Sequence, residues 1–362
     1  MAVPREKPGP RNGPGDGGAE TLLSVQDLTV RFPTADGTVD AVRGLTYTLA
    51  AHEVLGIVGE SGSGKSASSL AVLGLLPPTA RVAGTVTFRG RDVLGMRSGE
   101  RRSLRGRRIA MIFQDPLAAL NPVHTVGDQL VEAVRAHQAV SRKAARARAA
   151  DMLDLVGLPR PEGSLGAYPH ELSGGMRQRV LIAMAVINEP DVIIADEPTT
   201  ALDVTVQAQI LDTLIAVKDA VAAAIVLITH DLGVIAGMAD RVLVMYAGRA
   251  VETGGTARVF ASPRMPYTVG LLGSVPTPDS AGGQLWPIPG APPSLIDLPE
   301  GCPFSPRCPL AADRCRQEEP RLVPADGRGH HVACHRWAEV AGRDVSADLF
   351  RGLRPGPTGG PG

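Results

Sequence analysis

The chain has 362 residues, of which 44% are hydrophobic, 20% charged and only 3% aromatic. Its 37 basic and 37 acidic residues cancel, so composition gives no indication of nucleic-acid binding, and the few aromatic residues argue against base stacking as a main activity. No apolar run reaches the roughly 18 residues of a membrane span, and the N-terminus lacks the apolar core of a signal peptide. We therefore expect a protein made and kept in the cytosol, with one large domain and a smaller one.

The first 20 residues are rich in Gly, Pro and charge and are predicted to be disordered, because they hold almost nothing to bury. A β-rich section follows, with strands predicted over 24–32, 39–49 and 83–88 and a turn at Asp36-Gly37. Phe32 lies in this section. From its position it is either a core residue or an aromatic platform for an adenine ring.

The central motif is Gly59-Glu60-Ser61-Gly62-Ser63-Gly64-Lys65-Ser66, which fits the phosphate-binding loop pattern G-x-x-x-x-G-K-[ST]. The apolar run 54–58 before it indicates a buried parallel strand, and the residues from Ala67 onwards indicate a helix. Glycines let the loop turn its N–H groups inward, and the helix start adds further donors. Lys65 supplies a charge for the terminal phosphates, and Ser66 offers a hydroxyl to Mg²⁺.

Three further apolar runs each end in polar residues. They end at Gln114, at Asp196-Glu197 and at His230. In a parallel sheet the carboxyl ends of the strands converge on the ligand crevice. We therefore predict that Asp196 holds magnesium through water, that Glu197 is the general base for an attacking water and that His230 contacts a γ-phosphate.

A helical insert is predicted to interrupt the α/β core, with helices over 127–137 and 141–156. The motif Leu172-Ser173-Gly174-Gly175 follows these helices, and there Ser173 can cap a further helix while Gly174 and Gly175 leave room for a phosphate. One triphosphate rarely needs two anion-binding helix starts, so the second one is expected to serve a nucleotide held by another subunit. Asp203 follows closely and could also reach that partner.

All four cysteines lie in the proline-rich C-terminal part, with the spacing C-x5-C-x6-C-x18-C. In a cytosolic chain such clustering favours metal over disulfides. The spacing lacks the C-x2-C pairs of zinc ribbons, and neighbouring histidines keep zinc possible, so an iron–sulfur cluster, zinc and plain reduced cysteines remain open. The residues concerned are Cys302, Cys308, Cys315 and Cys334.

In their order along the chain these motifs resemble those of ABC-type ATPase domains. The chain is similar, more closely, to the ATP-binding subunits of dipeptide and oligopeptide importers. The finer match is carried by segments 113–122 and 168–171, by Pro266-Tyr267-Thr268, and by Gly301-Cys302-Pro303-Phe304 with Arg307-Cys308-Pro309. It departs from the family at Met265, where His often precedes the proline.

The resemblance implies an ABC-type phosphate-loop ATPase fold: a parallel-sheet core, an antiparallel β subdomain and a helical subdomain, followed by a small cysteine-containing extension. It implies a disordered tail over 1–20, an ATPase domain over 21–275 with the helical subdomain at about 115–180, the extension over 276–340 and a mostly disordered tail over 341–362.

The resemblance also implies how the residues act. Phe32 stacks on adenine, residues 59–67 (Gly59, Glu60, Ser61, Gly62, Ser63, Gly64, Lys65, Ser66 and Ala67) hold ATP, and Ser66, Gln114 and Asp196 hold Mg²⁺. Gln114, Glu197 and His230 act in hydrolysis. Ser173, Gly174, Gly175 and Asp203 act on the ATP of a second, head-to-tail ATPase subunit. The four cysteines bind a [4Fe-4S] cluster in some members of the family, with zinc as the alternative.

The implied partners are two integral-membrane permease subunits, a second ATPase subunit and, indirectly, an extracytoplasmic solute-binding protein, with no nucleic acid. The implied location is the cytoplasmic face of the cell membrane, where the subunit is peripheral. The alternatives are the same machine importing nickel or another small solute, and a non-transport ABC ATPase. The sequence alone settles neither the cargo nor whether the two ATPase subunits are identical.

Overall fold

The computed structural model describes residues 20–200, 202–274, 288–327, 329–340 and 349–350. The predicted N-terminal tail lies outside the described residues except for Glu20, and so does the predicted domain boundary at 275–276. The predicted C-terminal tail also lies outside them, except for Leu349 and Phe350, which are buried. Within the part of the chain that the structure describes, no helix is both long and apolar enough to cross a membrane.

The described strands are β1 (Thr21–Thr34), β2 (Gly37–Ala50), β3 (Val54–Val58), β4 (Arg81–Phe88), β5 (Arg91–Asp92), β6 (Ile109–Ile112), β7 (Val192–Asp196), β8 (Ala224–Thr229), β9 (Arg241–Tyr246), β10 (Arg249–Gly255), β11 (Val323–Pro324) and β12 (His331–Val332). The described α-helices are α1 (Lys65–Leu73), α2 (Ser98–Leu104), α3 (Pro116–Ala119), α4 (Val126–Arg135), α5 (Arg142–Leu155), α6 (Pro161–Ser164), α7 (Gly174–Val186), α8 (Val204–Ala220), α9 (Leu232–Met238), α10 (Thr256–Ala261), α11 (Pro266–Gly273), α12 (Asp313–Gln317) and α13 (Trp337–Val340).

The larger of the two described sheets has the order β11-β12-β10-β9-β3-β8-β7-β6. Strands β9, β3, β8, β7 and β6 are mutually parallel, and β10, β12 and β11 continue the sheet in antiparallel fashion. Every residue of β3, β7 and β8 is buried. This explains their continuous Val, Ile and Leu runs, because parallel strands covered on both faces need no polar alternation.

The smaller described sheet is antiparallel and has the order β2-β1-β4-β5. Its apolar face packs with helix α1 and one face of the parallel strands in a common hydrophobic cluster. The long hairpin β1–β2 turns at Ala35-Asp36, one residue before the predicted Asp36-Gly37, because Gly37 already pairs with Thr34. Phe32 and Val39 are paired across this hairpin, which directs the end of the small sheet toward the phosphate loop.

Helices α3 to α7 form the helical region between β6 and β7, close to the predicted subdomain at 115–180. Ser141 accepts a hydrogen bond from the backbone N–H of Ala144 and caps α5, and Gly157 follows this helix with a φ of 70°. Both helix signals in the sequence are confirmed. Leu130, Leu153 and Ile182 bury the apolar faces of α4, α5 and α7 against each other and against the sheet.

The C-terminal part is built mostly from turns, with short helices and the two-residue strands β11 and β12. It does not stand apart from the ATPase fold. Val332 and His331 of β12 pair with Glu252 and Thr253 of β10, so this part extends the larger sheet. Phe304 is fully buried in the main hydrophobic core.

Candidate nucleotide-binding and hydrolysis site

A cleft of about 710 Å³ lies at the carboxyl ends of β3, β7 and β8. The phosphate loop forms one side of it, and the residues that end the strands form the other. Its lining residues are Phe32, Val39, Ala41, Ser61, Gly62, Ser63, Gly64, Lys65, Ser66, Ala67, Gln114, Glu197, His230 and Leu295. The structure thus brings together most of the residues that the sequence predicts for ATP binding and hydrolysis.

The phosphate loop has a shape that only glycine permits at two points. Gly59 and Gly64 have φ values of 157° and 97°. A Cβ atom at Gly59 would lie 2.2 Å from the carbonyl oxygen of Met245, and one at Gly64 would lie 2.1 Å from that of Ala41. These glycines let the loop curl tightly against β9 and β2, and residues 61–67 line the cleft.

Lys65 is the first residue of α1 and is only 5% exposed. Its Nζ donates to the carbonyl oxygens of Gly59 at 2.7 Å and Glu60 at 3.0 Å. Burial lowers the pKa of this amine, and the carboxylates of Glu197, Asp196 and Glu60 act in the opposite direction. The ammonium is therefore held by weak neutral acceptors inside the loop, from which it can turn to phosphate oxygens.

Ser66 lines the cleft, and the buried carboxylate of Asp196 lies next to it. The Ser66 hydroxyl donates to Oδ1 of Asp196 at 3.1 Å. Burial raises the pKa of Asp196, the hydrogen bond from Ser66 lowers it, and Glu197 next to it raises it further. A hydroxyl and a buried carboxylate side by side are the hard oxygen donors that Mg²⁺ prefers, so this donor set fits the predicted magnesium site.

Glu197 is held on both sides of its carboxylate. Oε2 accepts hydrogen bonds from Nε2 of Gln114 at 3.1 Å and from the hydroxyl of Thr200 at 2.9 Å. Oε1 lies 3.4 Å from Nδ1 of His230. The backbone of Glu197 has a φ of 47°, which is strained for this residue type, and its N–H donates to the carbonyl oxygen of Ile228. The neighbouring strand therefore fixes this carboxylate at the cleft.

Six of the predicted ATP-site residues do not line this cleft. Gly59 and Glu60 begin the phosphate loop but do not line the cleft, and the Glu60 carboxylate pairs with Arg307 instead. Ser173 caps α7 by accepting from the N–H of Met176, and Asp203 caps α8 by accepting from that of Val206. The remaining two, Gly174 and Gly175, are the first residues of α7.

The chain matches the sequence profile described as "ABC transporter" over residues 42–200 and the one described as "Oligopeptide/dipeptide transporter, C-terminal region" over residues 251–315. It is 52% identical over 310 residues to the oligopeptide transport ATP-binding protein OppD of Salmonella typhimurium, covering 86% of this chain and 92% of that protein. The chain belongs to the oligopeptide/dipeptide ABC transporter family. The dipeptide transport ATP-binding protein DppD of Bacillus subtilis is 54% identical, covering 87% of this chain and 94% of that protein.

Another member of this family, the oligopeptide transport ATP-binding protein OppD of Mycobacterium bovis, is 55% identical over 91% of this chain. That protein is longer, and this chain spans only 54% of it. Solved structures give the same fold. A dimeric ATP-binding cassette in a post-hydrolysis state with ADP and phosphate superposes with a TM-score of 0.58 at 26% identity, over 65% of this chain and 99% of that one. CbiO1 of Clostridium perfringens gives a TM-score of 0.57 at 29% identity, over 67% of this chain and 91% of that one.

Sequence reasoning missed four contributors to the site of this family member, which are Val39, Ala41, Thr200 and Leu295. Thr200 lies three residues after Glu197, and this short spacing was a signal that its hydroxyl could reach the carboxylate. Leu295 comes from the C-terminal part, and its carbonyl oxygen accepts from the N–H of Asp40 on β2. Nothing local marks Leu295, because its place in the cleft depends on a long-range contact.

The four cysteines of the C-terminal part line one small cavity, together with Phe304, Leu310 and His335 among others. Within the described residues, no group of three or more His, Cys, Asp or Glu side chains is arranged to hold a metal ion. Backbone N–H groups hydrogen-bond the sulfurs of Cys302, Cys308 and Cys334, which favours their thiolate forms. Burial outweighs these bonds and raises the pKa of Cys302 to about 11 and of the other two to about 12.

Proposed function

We propose that this chain is the ATP-hydrolysing subunit of a membrane importer for oligopeptides or dipeptides. The observation that carries the proposal is the Glu197 carboxylate, which Gln114, Thr200 and His230 surround at the edge of a phosphate-loop cleft. The match to the oligopeptide/dipeptide C-terminal region supports the cargo class. The relatives named above are oligopeptide and dipeptide transport ATP-binding proteins, which supports the same assignment.

In the proposed reaction Glu197 is the general base for a water molecule. The water oxygen bonds to the γ-phosphorus, the bond to the β,γ-bridging oxygen breaks, and ADP leaves with that electron pair. The proton of the water passes to Glu197. Gln114 orients the carboxylate and the water, and His230 contacts the γ-phosphate. Lys65 exchanges its carbonyl partners for phosphate oxygens and balances their charge.

Mg²⁺ would be held by Ser66, by Gln114 and, through water, by Asp196. When bound, it neutralises negative charge on the β- and γ-phosphates. The protein residues do the rest of the positioning, because the Ser66–Asp196 hydrogen bond already places both oxygens at the foot of α1.

A second ATPase subunit completes the site in this proposal. Ser173, Gly174 and Gly175 open α7, and Ser173 and Gly174 are exposed. None of these three residues lines the cleft of their own chain, and neither does Asp203. A helix start with free N–H groups binds anions, so these residues would act on the ATP of a head-to-tail partner. The similar cassette with ADP and phosphate is dimeric, which supports this arrangement.

Permease subunits would dock beside Gln114. Two large apolar side chains are exposed in this region, Phe113 at 41% and Val123 at 72%. Close by, a groove of about 590 Å³ is lined by both acidic and basic residues, including Asp128, Glu132 and Arg135 of α4. The chain would therefore lie peripherally on the cytoplasmic face of the membrane, against two permease subunits, and serve an extracytoplasmic solute-binding protein through them.

We also propose a [4Fe-4S] cluster at the four cysteines, with zinc as the alternative. All four cysteines line one small cavity, and the sulfurs of three of them accept N–H hydrogen bonds, as sulfur ligands of such clusters do. Zinc would need the four sulfurs to converge at about 2.3 Å from a single ion. The cluster, when bound, would tie together the turns that carry these cysteines.

The metal proposal is tested by anaerobic purification followed by iron, sulfide, zinc and absorption measurements. About four irons and four sulfides per chain are expected. Cys302→Ser should lose most of the iron, whereas Ala311→Ser, a substitution of similar size in the same segment, should keep it. One zinc per chain without iron would show that the cysteines bind zinc and not a cluster. Purified wild-type protein with neither iron nor zinc would overturn both the cluster and the zinc alternative.

The transport proposal is tested in cells that lack the gene and carry either the wild-type chain or Glu197→Gln. The wild-type chain should restore uptake of a labelled tripeptide, and Glu197→Gln should not. Labelled nickel serves as the competing cargo. Uptake of nickel without peptide would overturn the peptide assignment, and equal peptide uptake with both chains would overturn the role of ATP hydrolysis.

A further inference from the structure

Glu60, the second residue of the phosphate loop, has all of its polar groups engaged below the cleft. Its N–H donates to the hydroxyl of Tyr267 at 2.8 Å, and its carbonyl oxygen accepts from Nζ of Lys65 at 3.0 Å. Its carboxylate accepts two hydrogen bonds from Arg307, at 2.7 and 2.9 Å. Both Tyr267 and Arg307 belong to the C-terminal third of the chain, so the backbone and the carboxylate of Glu60 are both bound to that part.

Arg307 is itself held firmly in this position. Its side chain is only 6% exposed. Nε donates to the carbonyl oxygen of Pro289 at 2.9 Å, and one terminal nitrogen also donates to the Tyr246 hydroxyl at 3.2 Å. The guanidinium lies 5.9 Å from the ring centres of both Tyr246 and Phe304. Such a bidentate, stacked arginine gives fixed geometry as well as charge.

The aromatic side chains around Arg307 make the support rigid. Tyr246, Tyr267 and Phe304 pack against one another with ring centres 4.6 to 5.4 Å apart. Tyr267 and Phe304 are fully buried. Their tilted and edge-to-face contacts are favourable for aromatic pairs, so the Tyr267 hydroxyl and the Arg307 guanidinium keep their positions relative to the loop.

The charge of Glu60 gives this contact a consequence for ATP. A carboxylate in the phosphate loop repels a triphosphate and attracts the ammonium of Lys65 that the phosphates need. The bidentate contact with Arg307 neutralises the carboxylate and directs it away from the cleft. Without Arg307, Glu60 would be a free negative charge that competes with ATP for Lys65.

We infer that Arg307 is a positioning residue for the phosphate loop. The affinity for ATP then depends on the four-cysteine part of the chain, the segment from Cys302 to Cys334. Arg307 lies between Cys302 and Cys308, and both cysteines line the same small cavity. A change that loosens this segment therefore also loosens Glu60. The inference rests on the proposed function in that ATP is the ligand of the cleft.

The test is a charge cycle on the full-length chain, with Arg307→Met, Glu60→Gln, the double variant and Arg307→Lys. The dissociation constant for ATP and Mg²⁺, KM and kcat are measured for each. Arg307→Met should weaken ATP binding about tenfold and raise KM by a similar factor, with a smaller change in kcat. The double variant, which has no charge at either position, should bind ATP within about twofold of wild type. Arg307→Lys should fall between wild type and Arg307→Met.

Arg316→Met is the matched control, because Arg316 lies in the same part of the chain and, among the described residues, pairs with Asp313 alone, with 60% of its side chain exposed. It should bind ATP as wild type does. If the double variant binds ATP as weakly as Arg307→Met, Arg307 acts only through folding and the inference is wrong. Unchanged ATP binding in Arg307→Met would overturn it as well. A wild-type chain that does not bind ATP would instead overturn the proposed function.

Discussion

The nucleotide cleft and the four-cysteine part of the chain are held together in different ways. The cleft is built on the ends of fully buried parallel strands, whose backbone hydrogen bonds place Asp196, Glu197 and His230 side by side. The four-cysteine part has only short helices and two-residue strands. Besides the short pairing of β12 with β10, it is attached by individual side-chain pairs, such as Arg43 with Glu319 and Arg307 with Glu60.

Because of this difference, single substitutions should affect the fold less in the cleft than in the four-cysteine part. Backbone hydrogen bonds in a sheet do not depend on side-chain identity, so single substitutions in the cleft should remove chemistry and leave the fold intact. In the four-cysteine part, Arg307 forms a buried ion pair with Glu60, and the loss of one partner leaves an unpaired buried charge. Substitutions there should change stability and function together.

The largest expected effect is at Glu197. Glu197→Gln keeps the shape of the side chain and removes the base, so ATP hydrolysis should fall at least about a hundredfold. ATP binding should persist, because the phosphate loop is unchanged. Phosphate release and ATP binding are measured on the purified chain, with the exposed Glu162→Gln as control. Hydrolysis at the wild-type rate would show that Glu197 is not the base.

Lys65→Ala should act on binding itself. It removes the buried ammonium that neighbours the carbonyl oxygens of Gly59 and Glu60, and the affinity for ATP should fall by roughly one to two orders of magnitude. Lys143→Ala, on the exposed side of α5, is the matched control. Titration with a fluorescent ATP analogue checks both variants, and wild-type affinity in Lys65→Ala would remove this residue from the phosphate site.

The cleft could be predicted from sequence because its signals are local. The phosphate loop is a continuous segment, and Gln114, Glu197 and His230 each follow an apolar run directly. The rule that parallel strands converge at their carboxyl ends then brings them together without further knowledge of the fold. The same locality explains the confirmed caps of α5 and the hairpin of β1 and β2.

The contacts of Leu295, Tyr267 and Arg307 could not be predicted in this way. Arg307 meets Glu60 across 247 positions of the sequence, and Tyr267 meets it across 207. No periodicity or motif reports such pairs, because they depend on how the C-terminal part folds over the completed sheet. Arg307 lies between Cys302 and Cys308 in the sequence. The spacing of the cysteines indicated a metal site, and it gave no indication that Arg307 contacts the phosphate loop.

A smaller effect is expected on stability, at Asp196. Burial raises the pKa of this carboxylate in the folded state above its value in the unfolded chain. As pH rises between these two pKa values, the unfolded chain loses its proton first, so the free energy of unfolding falls. Asp196→Asn should therefore raise the melting temperature of the nucleotide-free protein at pH 7 by about 1–3 °C, and less at acidic pH. It should also lose Mg²⁺-dependent hydrolysis. The exposed Asp36→Asn is the control, and a lower melting temperature at pH 7 would contradict the prediction.

The smallest effect should come from Leu295, which the C-terminal part contributes to the cleft. Leu295 lines the apolar end of the cleft with Phe32 and Val39, away from the polar residues around Glu197. Leu295→Ala removes apolar surface from that end and should weaken ATP binding about two- to fivefold. Tripolyphosphate needs only the phosphate loop, so its binding should not change. Ile296→Ala, which alters the adjacent residue outside the cleft lining, is the control. Equal losses for ATP and tripolyphosphate would place the effect of Leu295 at the phosphate loop, and the apolar end of the cleft would then have no part in holding the base.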